Sequence, residues 1–189
     1  MSLELLEKSL KNAQVITRGE YKYFIHPLTD SIPPIEPDLM METCMALRDN
    51  LDINADYILT MEAMGIHIAT VLGQLTGLPV NIIRKRQYWL PGEKILDQST
   101  GYSKGTLYMN SVKPGDRILI VDAVVSTGGT LLAVLNALKE IGVDVAGIGC
   151  VIGRGGGKKI VEEKTGFKVK TLIDIDVKDK VEVTSKITG

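Results

Sequence analysis

A carboxylate followed four residues later by a turn rich in hydroxyls and glycine suits a phosphorylated sugar. The stretch "ILIVDAVVSTGGTLL", residues 118–132, has that form. Four apolar residues lead into Asp122, and Ser126, Thr127, Gly128, Gly129 and Thr130 follow. Backbone N–H groups at a helix start bind phosphate where glycines allow close approach, and the three hydroxyls add hydrogen bonds. Asp122 is then the group for sugar hydroxyls or a metal. Ala123 occupies the place beside it where a second acid would sit. The plain structural alternative is a tight strand-to-helix turn capped by Thr127. The whole series of strand, acid, turn and strong helix favours phosphate.

The elements that must position these groups follow from periodicity. Leu3, Leu6 and Leu10 share one helical face. "EYKYFIHPLTDSIPPIEP" reads as irregular and aromatic, because Pro27, Pro33, Pro34 and Pro37 exclude a long helix or a central strand. Pro37 suits the first turn of a helix with Met40, Cys44 and Leu47 inward. Strands and helices then alternate. "ADYILT" is a short strand, "GIHIATVLGQLTG" a helix ending at Gly77, and "LPVNIIRK", "KGTLYMN" and "DRILIVD" are strands. "TLLAVLNALKEIG" is a helix stopping at Gly142, "VDVAGIGCVI" a strand, "GGKKIVEEKTG" a short helix and "FKVKTLIDI" a last strand. This alternation predicts an α/β fold with a central parallel sheet flanked by helices. Asp122 is expected at the carboxyl end of its strand, where such sheets bind ligands.

Bulk properties narrow the function. The 189 residues fit a single domain, 44% hydrophobic, with a formal net charge of -1. That charge argues against a broad basic face for nucleic acid. Two cysteines, Cys44 and Cys150, and two histidines, His26 and His67, are too few and too scattered for a disulfide framework or a zinc site. No signal peptide or long apolar run is present, so a soluble, cytoplasmic protein is expected. Two glycine-rich decoys fail: "GIGCVIG" has its third glycine one place late, and "GRGGGKK" lacks the spacing of a P-loop.

The stretch "ILIVDAVVSTGGTL" is similar to the motif by which type I phosphoribosyltransferases bind phosphoribosyl pyrophosphate (PRPP). The chain resembles that family over residues 6–177, above all its archaeal hypoxanthine/guanine members. "EYKYFIHPLTDSIP", "EAMGI", "IIRKRQYWLPGE" and "TGYSKG" carry the likeness in the same order. The resemblance implies the family fold, with a small hood formed by about residues 14–37 and the C-terminal segment. It implies transfer of ribosyl phosphate to hypoxanthine or guanine, giving IMP or GMP and pyrophosphate.

Site roles follow by the same resemblance. Asp122 takes the ribose, and Ser126, Thr127, Gly128, Gly129 and Thr130 take the 5′-phosphate. Glu62, Ala63, Met64 and Gly65 resemble the pyrophosphate loop, with a simple helix start as the alternative. Arg84 and Lys85 resemble a pair that contacts PRPP; solvated surface charge is the alternative, most of all for the neighbouring Arg86. Tyr102, Ser103 and Lys104 resemble the catalytic lid, a flexible loop over about 87–104, against the alternative of a polar hairpin tip. Val124, Arg154, Ile32 and Pro33 are placed around the purine, Gly155, Gly156 and Gly157 being otherwise a flexible turn. Mg²⁺ is the implied cofactor, bridging substrate oxygens, with Asp122 reaching it through water and no direct protein ligand assigned. PRPP and a purine base are the implied partners, with no nucleic acid or membrane, in a homodimer.

Two positions depart from the family pattern. Ala123 replaces a second acid, as a proline does in the active uracil enzymes. Ser126 stands where some 6-oxopurine enzymes carry a proton-accepting Asp, leaving Glu62, water or the substrate's own anion for that proton. Adenine or xanthine as the base, and a PRPP-sensing regulator without catalysis, are the remaining readings.

Overall fold

Ile118, Leu119, Ile120 and Val121 are fully buried, and a strand that is apolar on both faces must lie inside a sheet covered on both sides. The structure, a computed structural model, describes residues 3–19, 21–99 and 104–187. Helix α1 (Glu4–Lys11) is followed by strands β1 (Gln14–Arg18) and β2 (Tyr21–Ile25), then by α2 (Pro27–Asp30) and α3 (Pro37–Asn50). The middle of the chain forms β3 (Tyr57–Met61), α4 (Ile66–Thr76), β4 (Val80–Ile83), β5 (Lys94–Ser99) and β6 (Lys104–Met109). The last part forms β7 (Arg117–Val125), α5 (Gly129–Ile141), β8 (Asp144–Arg154), α6 (Gly157–Thr165), β9 (Lys170–Val177) and β10 (Val181–Lys186).

The main sheet has six strands in the order β10-β9-β8-β7-β3-β4. All its pairings are parallel except that of β10, which returns antiparallel along the edge of β9. Alternation along β7 divides the core. Leu119, Val121 and Ala123 join the cluster under α1, α3 and α4, which includes Leu6, Leu47, Ile68 and Leu72. Ile118 and Ile120 join the cluster under α5 and α6, which includes Leu131, Leu135, Leu138 and Val161. The α/β sheet with helices on both faces is as the alternation of elements predicts.

Three details differ from the sequence expectation. The aromatic stretch is not irregular throughout: β1 and β2 pair as an antiparallel hairpin, Gln14 opposite Ile25. The prolines begin only at Pro27, past the last paired residue, so they leave the hairpin intact. Strand β7 runs three residues beyond Asp122 to Val125, because Val124 and Val125 continue pairing with Ile152 and Gly153. Within 87–104, residues Lys94–Ser99 form β5, which pairs with β6 in a two-stranded ribbon. Leu96, Leu107 and Met109 fix that ribbon by burial in the α5 cluster, and backbone bonds between Arg84 and Tyr108 join it to the chain beyond β4.

His26 ties the first helix to the hairpin. It is completely buried. Ser9 Oγ donates to Leu6 O at 2.9 Å and lies 2.8 Å from His26 Nε2. Leu28 N–H donates to Nδ1 at 3.2 Å, capping α2. Both ring nitrogens are therefore satisfied by the neutral ring with its proton on Nε2, and protonating Nδ1 would set two donors against each other. Burial pushes His26 down to about 4, against a partial opposing pull from Asp30. The unfolded chain takes up this proton near 6.5, so stability is complete above that pH and declines as pH falls toward 4. His26→Asn keeps a capping acceptor and removes the titration. In urea melts at pH 7 and pH 4.5, the wild type should lose about 2 kcal/mol more than this variant; equal losses would refute the assignment.

Candidate functional site

The carboxyl ends of β3, β7 and β8 open into a cavity of about 600 Å³. Its lining brings together Asp122 and Val124 from β7, the turn of Ser126, Thr127, Gly128, Gly129 and Thr130, the loop of Glu62, Ala63 and Met64, and Lys85 and Arg154. The turn enters α5 through Gly128, at φ 78°, as N-cap, with no side-chain capping bond. Thr127 is exposed and does not cap the helix. The first N–H groups of a 13-residue helix thus face the cavity, and they lack partners within the helix.

Two glycines set how closely the walls approach. A Cβ on Gly65 would come within 2.0 Å of Thr60 Oγ1 and 3.1 Å of Asp122 Oδ1. Gly65 therefore does not line the cavity; it seats the 62–64 loop next to Asp122. Thr60 holds its own place by donating to Val121 O at 2.7 Å. A Cβ on Gly157 would lie 2.0 Å from Ser126 O and 2.9 Å from Gly128 N. The last glycine of "GRGGGKK" is thus where α6 packs against the backbone of the 126–130 turn. The peptide between Glu62 and Ala63 is cis.

Asp122 is half-buried at the cavity floor, and among the described residues its carboxylate is bonded only by Ala123 N–H, at 2.7 Å. Desolvation pushes its carboxyl up to about 7, against the smaller effect of that N–H. Glu62 is in the opposite condition. Arg84 Nε donates to it at 2.7 Å and Lys85 N–H at 3.2 Å, and the Arg84 bond holds it below its usual range. The basic run splits three ways: Arg84 pairs with Glu62, Lys85 faces the cavity, and Arg86 lies over the Tyr88 ring at 5.8 Å. Arg154, at the end of β8, donates to Tyr21 Oη and to Lys22 O. Ile32 is 58% exposed and, like Pro33, stands outside the lining. Lys104 opens β6, its side chain lying outside the described atoms, and Tyr102 and Ser103 lie outside the described residues.

The cavity also has a wall of residues that the sequence did not single out: Tyr21, Tyr23, Phe24 and Thr29, all within the segment expected to form the hood, with Thr106 from β6 and Cys150 from β8. The alternation of Tyr21 and Tyr23 was the available signal for a strand facing one way. Ala123 is 0% exposed in the apolar cluster under α3 and α4, on the opposite face of β7 from Ile118 and Ile120. Among the described residues no group of three or more His, Cys, Asp or Glu side chains is placed to hold a metal ion. No helix there is long and apolar enough to cross a membrane.

Comparison with known proteins gives a consistent set of likenesses. The phosphoribosyl transferase domain family matches residues 38–185. The chain is 53% identical to the hypoxanthine/guanine phosphoribosyltransferase of Methanotorris igneus, over 93% of this chain and 96% of that protein. It is 54% identical to the protein of that name from Methanocaldococcus infernus, over 92% and 96%. Among solved structures, the adenine phosphoribosyltransferase of Thermoanaerobacter pseudethanolicus superposes with a TM-score of 0.72 at 20% identity, covering 92% of this chain and 99% of that one. At that identity the likeness shows the fold.

Two substitutions separate the neighbouring positions of β7. The folded chain keeps the Asp122 proton up to about pH 7, whereas the unfolded chain releases it near 3.8. The cost of charging it is absent below the lower value and complete above the higher. Asp122→Asn should therefore stabilise the unliganded protein at pH 8 by about 2–4 kcal/mol, a gain that shrinks toward pH 4 in denaturant melts. Ala123→Asp should do the reverse, costing about 3 kcal/mol or more by burying an unpaired carboxylate among apolar side chains. An unchanged midpoint for Ala123→Asp would show that this position faces the cavity after all.

Proposed function

The chain belongs to the phosphoribosyl transferase family, and from that premise we propose that it salvages purines by joining hypoxanthine or guanine to PRPP. A bond forms between C1′ and the purine nitrogen, the bond from C1′ to pyrophosphate breaks, and the purine gives up one proton. The products are IMP or GMP and pyrophosphate. The reading is carried by one juxtaposition: a single cavity has Asp122 on its floor between the α5 turn and the 62–64 loop. Those are the places such a reaction needs for ribose, 5′-phosphate and leaving group. The curated relatives that are half identical over nearly the whole chain bear the name hypoxanthine/guanine phosphoribosyltransferase, which favours these bases over adenine or xanthine.

The residues then divide the work. The N–H groups of the α5 turn, with the Ser126, Thr127 and Thr130 hydroxyls, bind the 5′-phosphate. Asp122 accepts from the ribose hydroxyls and, once ionised, favours positive charge developing at C1′. Amides of Ala63 and Met64 with Lys85 receive the departing pyrophosphate, and Arg84 keeps Glu62 ionised and in place. With its pKa held low by Arg84, Glu62 is a poor proton acceptor, so the purine proton leaves to water or on the substrate itself. Val124, together with the hairpin wall of Tyr23 and Phe24, encloses the base. The lid is formed by the 87–104 segment with Tyr102, Ser103 and Lys104, and the hood by about 14–37 with the C-terminal segment.

Among the described residues one carboxylate stands on the cavity floor and no cluster of three or more such side chains surrounds it, a donor set that fits Mg²⁺ brought in with the substrate. Asp122 would reach it through water, and the cation would supply neutralisation of the pyrophosphate charge. Two buried free thiols, Cys44 and Cys150, accord with a cytoplasmic location. The exposed Trp89, Leu90 and Ile95 accord with a homodimer.

Pyrophosphate release with PRPP and Mg²⁺ tests the reading. Hypoxanthine and guanine should turn over with kcat/KM roughly 100-fold above adenine and xanthine, a margin that hydrogen-bonding sites readily reach. Asp122→Ala should cost roughly 100-fold in kcat/KM with hypoxanthine. Binding of PRPP without turnover of any base would turn the reading toward a regulator.

A further inference from the structure

The cavity's hairpin wall is hydrogen-bonded to its phosphate turn. Tyr21 Oη lies 3.1 Å from Ser126 Oγ, although the two residues are more than a hundred positions apart. Arg154 donates to the same phenolic oxygen and to Lys22 O, and its guanidinium lies over the Tyr21 ring at 4.2 Å. A guanidinium only donates, so the phenol accepts from Arg154 and can pass its own proton toward Ser126 Oγ. Ser126 can then turn its hydroxyl proton outward into the cavity. Donors arranged in series polarise one another, and this series begins at a fixed positive charge.

The backbone of Ser126 is held from the other side. Gly157 packs against its carbonyl, leaving no room for a Cβ. Arg154 ends β8 and Gly157 begins α6, so the junction of these two elements grips the hairpin at one end and the phosphate turn at the other.

We propose that Tyr21 is a positioning residue for the sugar phosphate: it aligns Ser126 as a donor to the 5′-phosphate and makes that alignment depend on the docked hairpin. The inference rests on the proposed PRPP reaction but adds a residue from the base-side wall to the phosphate side. Occupancy of the phosphate turn then steadies the wall against which the purine packs, and the two halves of the substrate pair are coupled through one phenol.

Calorimetric titration of the full chain with ribose 5-phosphate tests this. Tyr21→Phe keeps the ring beneath Arg154 and removes only the hydroxyl. It should weaken ribose 5-phosphate about fivefold, the scale of one hydrogen bond, and lower the thermal midpoint by no more than about 5 °C, because Arg154 keeps its bond to Lys22 O. Ser126→Ala should weaken binding at least as much, and the double variant should be no weaker than Ser126→Ala alone. In turnover, Tyr21→Phe should raise KM for PRPP while kcat changes less than about twofold, a split that loss of folded protein would not produce. Independent, multiplying effects of the two substitutions, or unchanged binding in Tyr21→Phe, would overturn the inference alone. Failure of the wild-type chain to bind ribose 5-phosphate would overturn both it and the reaction it rests on.

Discussion

The cavity depends on a contact between two stretches of backbone. The carbonyl of Ser126 sits where a side chain on Gly157 would have to be. Because position 157 has none, the first turn of α6 closes against the turn that begins α5. Two consecutive strand–helix units of the sheet are thereby locked where their strands end at the cavity. Helix α5 keeps its leading N–H groups pointed into the cavity, and β8 ends at the height where Arg154 meets the hairpin. Loosening that one contact would misdirect a helix end, a guanidinium and a hydroxyl together.

The electrostatics follow the same economy. Cationic groups are distributed so that each has a separate partner: Arg84 the Glu62 carboxylate, Arg86 an aromatic face, Arg154 the hairpin, and Lys85 the cavity. A chain of near-zero net charge can thus present a local anion site without a basic surface. Desolvation raises the acidic group on the floor to about 7, so near neutral pH it stands divided between its protonated and ionised forms. Its neighbour Ala123 is small and apolar where β7 turns that position toward the helices, not toward the cavity.

Much of this was legible in the sequence, and the rest was hidden for physical reasons. The strand, acid, turn and helix around Asp122 are local in sequence, so their placement followed from spacing and periodicity. Gly77 and Gly142 ended their helices as read. What escaped is what depends on pairing between distant segments. The β1–β2 hairpin does not alternate in burial: Gln14, Thr17 and Arg18 are exposed, and the neighbours Tyr23 and Phe24 are both buried. Strand β10 is a polar edge strand whose identity comes from its neighbour β9. The triple glycine read as part of a base-contacting loop, with a flexible turn as the alternative, because nothing nearby in sequence reveals that Gly157 meets Ser126. The division of Arg84, Lys85 and Arg86 among three partners is equally invisible without the fold.

The ribbon formed by β5 and β6 has a consequence of another kind. Glu93 receives the N–H groups of Tyr88 and Trp89 and the amide of Asn110, so the segment before β5 is pinned at its base. Trp89 projects from it with 79% of its surface in solvent, and it is the only tryptophan among the 189 residues. Tryptophan emission of this protein therefore arises from one indole within the segment expected to form the lid. The chain has its own optical gauge: a blue shift or quench of that single fluorophore on adding ligand registers what happens on the segment between β4 and β5, with no label attached.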